Sequence, residues 1–290
     1  MSTATNFNFP LISIGIPVYN EEKFLNQSLT SLLAQDYQNI EIIISDNAST
    51  DGTGDICARA AENNASVRVL RASVNTGATA NFQRCLDAAK GDFFMWAGGH
   101  DLWSVDFVSQ CVDALMHHPT AVIATPESEW IDPQSQPFGH RAFILDTRGM
   151  DPLARVFTLL WANMHAMYGL MRTTALRAAG PIPNYSGADL ILLLRIALQG
   201  DFVPAPGALW SRRELRMGED FRARQRRYHS SDFDVRKPRL DRLFPVARLP
   251  YEILRTVWSS DLAVADKIAF SMALPAQLPA RYLVARRRIS

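Results

Sequence analysis

The residues in this chain best suited to chemistry fall in three polar clusters, each directly after a short apolar run. Gly98-Gly99-His100-Asp101 follows Phe93 to Ala97 and sets an imidazole beside a carboxylate. That pair suits metal ligation or proton transfer, and two preceding glycines let a ligand approach the backbone closely. The plainer alternative is a tight turn in which Asp101 caps the next helix. Asp46-Asn47-Ala48-Ser49-Thr50-Asp51-Gly52-Thr53 follows Ile40 to Ser45, and Tyr19-Asn20-Glu21-Glu22 follows Leu11 to Val18.

The elements that must position these clusters follow from the hydrophobic pattern. Leu11–Val18, Ile40–Ser45, Val67–Leu70 and the run starting at Phe93 read as buried strands, as does Ala121–Thr125. Between them apolar residues recur at helical spacing: Phe24, Leu25, Leu29, Leu32 and Leu33, then Ile56, Cys57 and Ala60. Phe82, Leu86 and Ala89 follow, and then Phe107, Cys111, Val112 and Leu115. Asn20 suits the N-cap of the first helix, with Glu21 and Glu22 in its first turn. This alternation predicts a doubly wound, mainly parallel α/β sheet. The three clusters then share the edge at the carboxyl ends of its strands, where ligands bind in such sheets.

Beyond Pro126 the alternation weakens. Segment 127–150 reads as loops and short strands, 151–163 as a helix, and 166–171 as a short strand. Helices are expected at 174–179 and 188–198, with 202–204 briefly extended. Arg212 to Arg227 holds seven arginines interleaved with Glu214, Glu219 and Asp220. It reads either as a solvated, ion-paired helix face or as a polyanion site. Two helical patterns, near 247–258 and 262–274, precede a basic end. The division expected is 1–125, 126–215 and a helical extension over 216–290.

Thirty Lys and Arg against 29 Asp and Glu give a net charge of +1, which offers nothing to nucleic acid or another acidic polymer. Cys57, Cys85 and Cys111 are odd in number and scattered, which argues against a disulfide framework or zinc site. No signal-peptide pattern opens the chain, and no apolar stretch reaches transmembrane length. A cytoplasmic protein is expected, with room for peripheral contact at the inner membrane face through the C-terminal tail.

Neither a phosphate-binding P-loop nor a dinucleotide-binding glycine fingerprint is present, and there is no nucleophile elbow. ISIGIPVYNEE, IEIIISDNASTDGT and VNTGATANFQRCLDAAKGDFFMW, in that order, resemble the opening of a family-2 glycosyltransferase with the GT-A fold. Residues 10–125 carry the likeness, with a looser continuation over 166–200. The resemblance implies transfer of a sugar from a nucleoside-diphosphate sugar to a hydroxyl of a glycan or lipid-linked acceptor, with inversion.

The same resemblance assigns roles. Pro17, Tyr19, Asn20 and Glu21 match the first-strand loop against the nucleotide, and Asp46 the aspartate that bonds its base. Asn75 and Gly77 match a turn before the third helix, where Gly77 serves equally well as plain backbone geometry. Asp189 matches the general base that deprotonates the acceptor, or else it is a first-turn helix carboxylate. Arg212 and Arg213 match a basic segment that closes on the diphosphate. Asn163, His165 and Tyr168 line the acceptor side, unless His165 is a satisfied core histidine.

At residues 98–101 the family carries an aspartate run that holds a divalent metal, and this chain departs from it. With Gly98, Gly99, His100 and Asp101 there, the cation is held by His100 and Asp101, or weakly, or not at all. A shift of register placing Asp101 at the main position is the remaining alternative. An imidazole ligand favours Mn²⁺ over Mg²⁺. Two rival functions are a nucleotide-sugar-binding protein without turnover and an unrelated doubly wound nucleotidyltransferase.

Overall fold

The computed structural model describes residues 9–142, 144–185, 187–215 and 248–287, with side chains as far as residue 278. Its strands are β1 (Ile12–Val18), β2 (Ile40–Asp46), β3 (Val67–Arg71), β4 (Phe93–Trp96) and β5 (Leu102–Trp103). β6 (Ala121–Ile131), β7 (Pro137–Ala142), β8 (Leu170–Arg172) and β9 (Asp201–Arg213) complete the sheet. The first helices are α1 (Leu25–Leu33), α2 (Thr53–Asn63), α3 (Ala78–Ala88), α4 (Phe107–His117) and α5 (Pro152–Trp161). A 3₁₀ turn (Met164–Tyr168) leads to α6 (Thr173–Ala178) and α7 (Ala188–Ala197), and α8 (Leu249–Trp258) and α9 (Val264–Arg287) end the chain.

All nine strands form one sheet in the order β3-β2-β1-β4-β8-β6-β9-β5, with β7 on β6. β3, β2, β1 and β4 are mutually parallel, as the βαβ alternation requires. β8 enters antiparallel to both β4 and β6, and β9 runs parallel to β6. Period-two alternation sends Ile12, Ile14, Ile16, Phe93 and Met95 to one face, with α1, α2 and α4. Ile43, Phe94 and Trp96 point to the other face, where α3, α5, α7, α8 and α9 pack.

Several boundaries differ from the sequence reading. Asn20 does not cap α1, which starts at Leu25 after a turn; instead Asn20 adopts φ 56° and its side chain serves another loop. The strand expected at 166–171 is a 3₁₀ turn followed by the three-residue β8. The brief extension at 202–204 is a 13-residue strand, β9, whose register on β6 jumps between Ala205 and Leu209, past Pro206 and Gly207. The last helix passes Pro275 and Pro279 and reaches Arg287. The arginine-rich segment from residue 216 to 227 lies outside the described residues.

Candidate functional site

β1 and β2 end in register, Val18 opposite Asp46, so their loops emerge side by side. Hydrogen bonds then knit the two loops together. Asn20 N–H donates to Ser49 Oγ (3.0 Å), and Thr50 N–H returns to Asn20 Oδ1 (2.9 Å). Glu21 N–H donates to Thr53 Oγ1 (2.7 Å) and Gly52 N–H to Glu22 Oε2 (2.6 Å). Ala48, at φ 62°, turns the second loop back so that Ser49 N–H reaches Asp46 Oδ1 at 2.9 Å. A non-glycine residue in that region is uncommon and persists only where its surroundings fix it.

Asp46 is fully buried, and its second oxygen, Oδ2, has no hydrogen-bond partner. Arg71 Nε stands 3.5 Å from it at ion-pair range, on a side chain 57% exposed. Asn75 presents the complementary case. Its Oδ1 accepts from Asn47 Nδ2 (2.8 Å) and Gly77 N–H (2.9 Å), which fixes the amide orientation and leaves Nδ2 buried without an acceptor. Both atoms lie at the carboxyl ends of the strands, and each is costly to leave without a hydrogen bond. A cleft of about 550 Å³ opens there, lined by Ala48, Ser49, Arg71, Ala72 and Ser73.

Asn47 and Asn81 are parts of this edge that the sequence reading did not single out. Asn47 Oδ1 accepts from Thr76 N–H, and Asn81 Nδ2 donates to the carbonyls of Val18 and Ser45. An asparagine on the buried face of α3 was the signal available for Asn81.

The Gly98–Asp101 turn sits next door, held by Ser28 of α1, whose Oγ donates to Asp101 O at 2.6 Å. Asp101 is 3% exposed and both its oxygens are engaged. Trp210 Nε1 donates to Oδ2 (3.0 Å) and Arg213 N–H to Oδ1 (2.9 Å). Burial holds its carboxyl above the usual range, against the opposing pull of His100, the two N–H donors and Arg212. His100 Nδ1 donates to Glu21 Oε1 (3.1 Å), while its Nε2 lies 3.8 Å from Asp101 Oδ1. Burial alone would lower its pKa, but the Glu21 hydrogen bond and the charges of Asp101 and Glu21 raise it.

At these positions the side chains able to face a divalent cation are His100 and Asp101. Asp101 accepts one hydrogen bond from β9 at each oxygen, which orients the carboxylate and leaves each oxygen a second lone pair. A Cβ on Gly98 would lie 2.6 Å from Asp101 Oδ2, and one on Gly99 2.9 Å from Val18 Cγ1. The space a carboxylate would use at either glycine is therefore filled. Among the described residues no three His, Cys, Asp or Glu side chains are grouped to hold a metal. The expected ligand pair, His100 and Asp101, brings His100 Nε2 to 3.8 Å from Asp101 Oδ1.

The two expected arginines also part company. Arg213 is a structural residue, 3% exposed. It donates to the carbonyls of His100, Asp132 and Pro133 and to Gln27 and Ser135, with its guanidinium over Phe24. Arg212, on the opposite side of the strand, lies 4.4 Å from the Trp130 ring and 5.9 Å from that of Trp210. It pairs with no carboxylate among the described residues.

Behind Arg212 stands an aromatic group. Tyr168 stacks on Trp210 at 4.4 Å, and His165 meets Trp210 edge-on at 5.5 Å with Ser128 Oγ 2.6 Å from its Nδ1. Burial first, and the Arg212 charge second, push the His165 pKa down to about 4, so the ring is neutral at physiological pH. Asn163 caps the 3₁₀ turn through His165 N–H.

Asp189 occupies the first turn of α7, half-buried, and its Oδ1 accepts from Leu190 N–H at 2.9 Å. Its other oxygen has no partner among the described residues. The loop ahead of it is pinned to α3 by Ile182 N–H on Gln83 Oε1 (3.0 Å) and Thr79 Oγ1 on Asn184 Oδ1 (3.3 Å).

A mixed sheet of this order, with helices on both faces, is a GT-A fold. Staphylococcus aureus TarS, solved with UDP-GlcNAc, superposes with a TM-score of 0.68 at 17% identity, covering 94% of this chain and 73% of that one. The Pyrobaculum calidifontis mannosyltransferase PcManGT, in complex with GDP-Man and Mn²⁺, gives 0.57 at 18% identity over the same shares. The model of glycosyl transferase family 2 matches residues 13–174, and the chain belongs to that family.

Curated relatives are similar over a shorter stretch. An uncharacterized Haemophilus influenzae glycosyltransferase is 34% identical over 111 residues, 38% of this chain and 44% of its own. The abequosyltransferase RfbV of Salmonella typhimurium is 43% identical over 94 residues, 31% and 28% of the two chains. The matches thus span less than half the length of these relatives. Among the described residues no helix is long and apolar enough to cross a membrane.

Proposed function

We propose that the protein transfers a sugar, with inversion, from a nucleoside-diphosphate sugar to a hydroxyl of a glycan or lipid-linked acceptor. The observation that carries this reading is the buried pair of unmet polar atoms, Asp46 Oδ2 and Asn75 Nδ2, at the strand ends. A base with an N–H beside a carbonyl or ring nitrogen satisfies both, one accepting and one donating. Pro17, near the end of β1, and Tyr19, Asn20 and Glu21 of the loop that follows wall this edge.

In the transfer, Asp189 takes the proton from the acceptor hydroxyl as that oxygen attacks the anomeric carbon. The bond from that carbon to the diphosphate oxygen breaks on the opposite side, and the nucleoside diphosphate leaves with the electron pair. Arg212, whose guanidinium pairs with no carboxylate among the described residues, offsets the charge of the leaving group. The flat faces of Tyr168 and Trp130 suit the apolar side of an acceptor sugar. Peripheral contact with a membrane that carries a lipid-linked acceptor is supported by Val264, Ile268 and Met272, exposed at four-residue spacing on α9.

Asp189→Asn tests the assignment, because it keeps the size and the helix start but removes the proton acceptor. General-base catalysis is worth about 10²–10⁴-fold, so turnover with donor and acceptor should fall by that order while nucleotide affinity stays the same. Transfer at the wild-type rate would remove Asp189 from the chemistry. Donor binding without transfer across a broad acceptor panel would favour the binding-protein reading instead.

A further inference from the structure

We infer that the outward face of α9, with the exposed rings of α8 beside it, lies flat on a bilayer of anionic lipids. This rests on the peripheral contact in the reading above, and it adds the surface, its orientation and the class of lipid. It needs nothing from the sugar-transfer chemistry.

α9 is apolar on two opposite sides. Phe270, Leu274 and Leu278 turn inward and are buried. On the outward side Val264, Ile268 and Met272 recur at four-residue spacing, 64%, 48% and 78% exposed. Every exposed residue from Val264 to Pro275 is apolar: these three, Ala265, Ala269 and Pro275. The charged residues of this stretch, Asp266 and Lys267, are half-buried, and Lys267 Nζ donates back to Ser260 O at 2.6 Å. A helix face turned to water ordinarily carries charge, and a helix apolar all round is covered on every side.

Aromatic rings border this face. Trp258 of α8 donates its indole N–H to Ser271 Oγ (3.0 Å), and Trp161 of α5 donates to Gln277 Oε1 (2.6 Å). Both rings are nearly half exposed, and Tyr251, two turns before Trp258, is exposed as well. Rings with an apolar body and a polar tip suit the boundary between acyl chains and headgroups. The outward stripe is about 17 Å long at the helical rise of 1.5 Å per residue. Among the described residues no helix is long and apolar enough to cross a membrane, so the contact is one of lying in the surface plane.

Charge selects the occupant. The stretch from Lys267 to Ser290 contains Lys267, Arg281, Arg286, Arg287 and Arg288 and no Asp or Glu, so the chain's net charge of +1 conceals a basic segment. Arg195 and Arg255 also line a cleft of about 630 Å³ between α7 and α8, in which Asp261 is the one carboxylate among the described residues. An apolar stripe continuous with a basic segment matches acyl chains beneath anionic headgroups. A second copy of the chain would bring the same cations and no counter-charge.

The test is flotation of the full chain with phosphatidylcholine vesicles and with vesicles that also contain phosphatidylglycerol, at low and high salt. Sedimentation velocity of the protein alone runs beside it. The expected result is binding to the anionic vesicles only, loosened by salt, with a blue shift of tryptophan fluorescence. Ile268→Glu combined with Met272→Glu should weaken binding by about 10- to 100-fold, and so should Arg286→Gln, Arg287→Gln and Arg288→Gln together. Circular dichroism, the urea midpoint and nucleotide affinity of both variants should match wild type.

Folded wild type that ignores anionic vesicles overturns the inference. Equal binding to phosphatidylcholine does the same, as does undiminished binding by the Ile268→Glu, Met272→Glu variant. A dimer that Ile268→Glu dissociates, in a protein that binds no vesicle, also overturns it and assigns the face to a second copy. Nucleotide binding is measured without vesicles, so the transferase reading and this one can each fail while the other stands.

Discussion

Asp46 and Asn75 gain their importance from what they lack. A carboxylate oxygen and an amide nitrogen are both buried without a hydrogen-bond partner among the described residues, and Arg71 stands at ion-pair range of the oxygen. Asp46→Asn keeps the acceptor for Ser49 N–H but removes the charge that a base N–H would meet. Nucleotide affinity should fall by about 10- to 100-fold, the worth of a charge-assisted hydrogen bond. Stability should barely change, since the Arg71 partner is more than half exposed and such pairs contribute little. Calorimetric titration beside urea unfolding separates the two effects, and unchanged affinity for every nucleotide bound by wild type would remove Asp46 from the site. His165 makes a prediction of another kind. Its pKa drops from 6.5 to about 4 on folding, so between those values the unfolded chain takes up the proton and the native chain does not. Stability is therefore fully present above pH 6.5 and is lost as the pH falls toward 4. At about 1.4 kcal/mol per unit the loss is on the order of 3 kcal/mol. The groups facing the ring are Ser128, Trp130, Trp210 and Arg212, and only Arg212 is charged. His165→Gln should flatten this part of the profile of unfolding free energy against pH, and an unaltered profile would refute the assignment.

At the scale of elements, β9 does the most that its sequence conceals. Pro204, Pro206 and Gly207 read as an end to extended structure. The strand survives because its register on β6 jumps past Pro206–Ala208, with Gly207 at φ 92°, and pairing resumes at Leu209. That resumption brings Trp210 to Asp101, Arg213 to the turn carbonyls, and Arg212 to the opposite side. By contrast the βαβ half was legible, because buried parallel strands are apolar runs and their polar loops must fall on one edge. The reading located Asp46 and the first-strand loop by that logic. It could not tell Arg212 from Arg213, since neighbouring residues on a strand face opposite ways and the register comes from tertiary pairing. The partners of Asp101 escaped it for the same reason, lying 109 and 112 residues away in sequence. The link between β9 and the turn can be tested through Trp210→Phe. This change leaves Asp101 Oδ2 buried without a donor and should cost about 1–3 kcal/mol in urea unfolding. Combined with Asp101→Asn, the costs should be less than additive, because both variants break one interaction. Strict additivity would mean that Trp210 contributes by packing alone.

Over the whole molecule, a single sheet separates two cores, and the last two helices belong to one of them. Ile253 and Val257 of α8 and Phe270 and Leu274 of α9 lie in the same cluster as Phe94 and Trp96 of β4. α7, which carries Asp189 at its start, is apolar on nearly every side because α5, α8 and the 3₁₀ turn all pack on it. An apolar helix of this kind needs covering on all faces. Pro275 ended the last helix in the sequence reading, whereas in the fold Leu274 and Leu278 are buried in the core on either side of it. Phe270 is fully buried with its ring 5.0 Å from that of Phe157 in α5, a contact between the C-terminal helices and the body of the protein. Phe270→Ala should cost about 3–5 kcal/mol, from lost burial and the cavity left behind. If the C-terminal helices and the sheet unfold as one unit, that loss shifts the whole denaturation curve. Far-ultraviolet circular dichroism and the fluorescence of Trp96 and its neighbours should then report the same midpoint. Nucleotide affinity, measured well below that midpoint, should match wild type because Phe270 lies away from the strand-end loops. A dichroism transition that shifts while the fluorescence transition stays in place would mean that α8 and α9 open as a separate unit, leaving the sheet to stand without them.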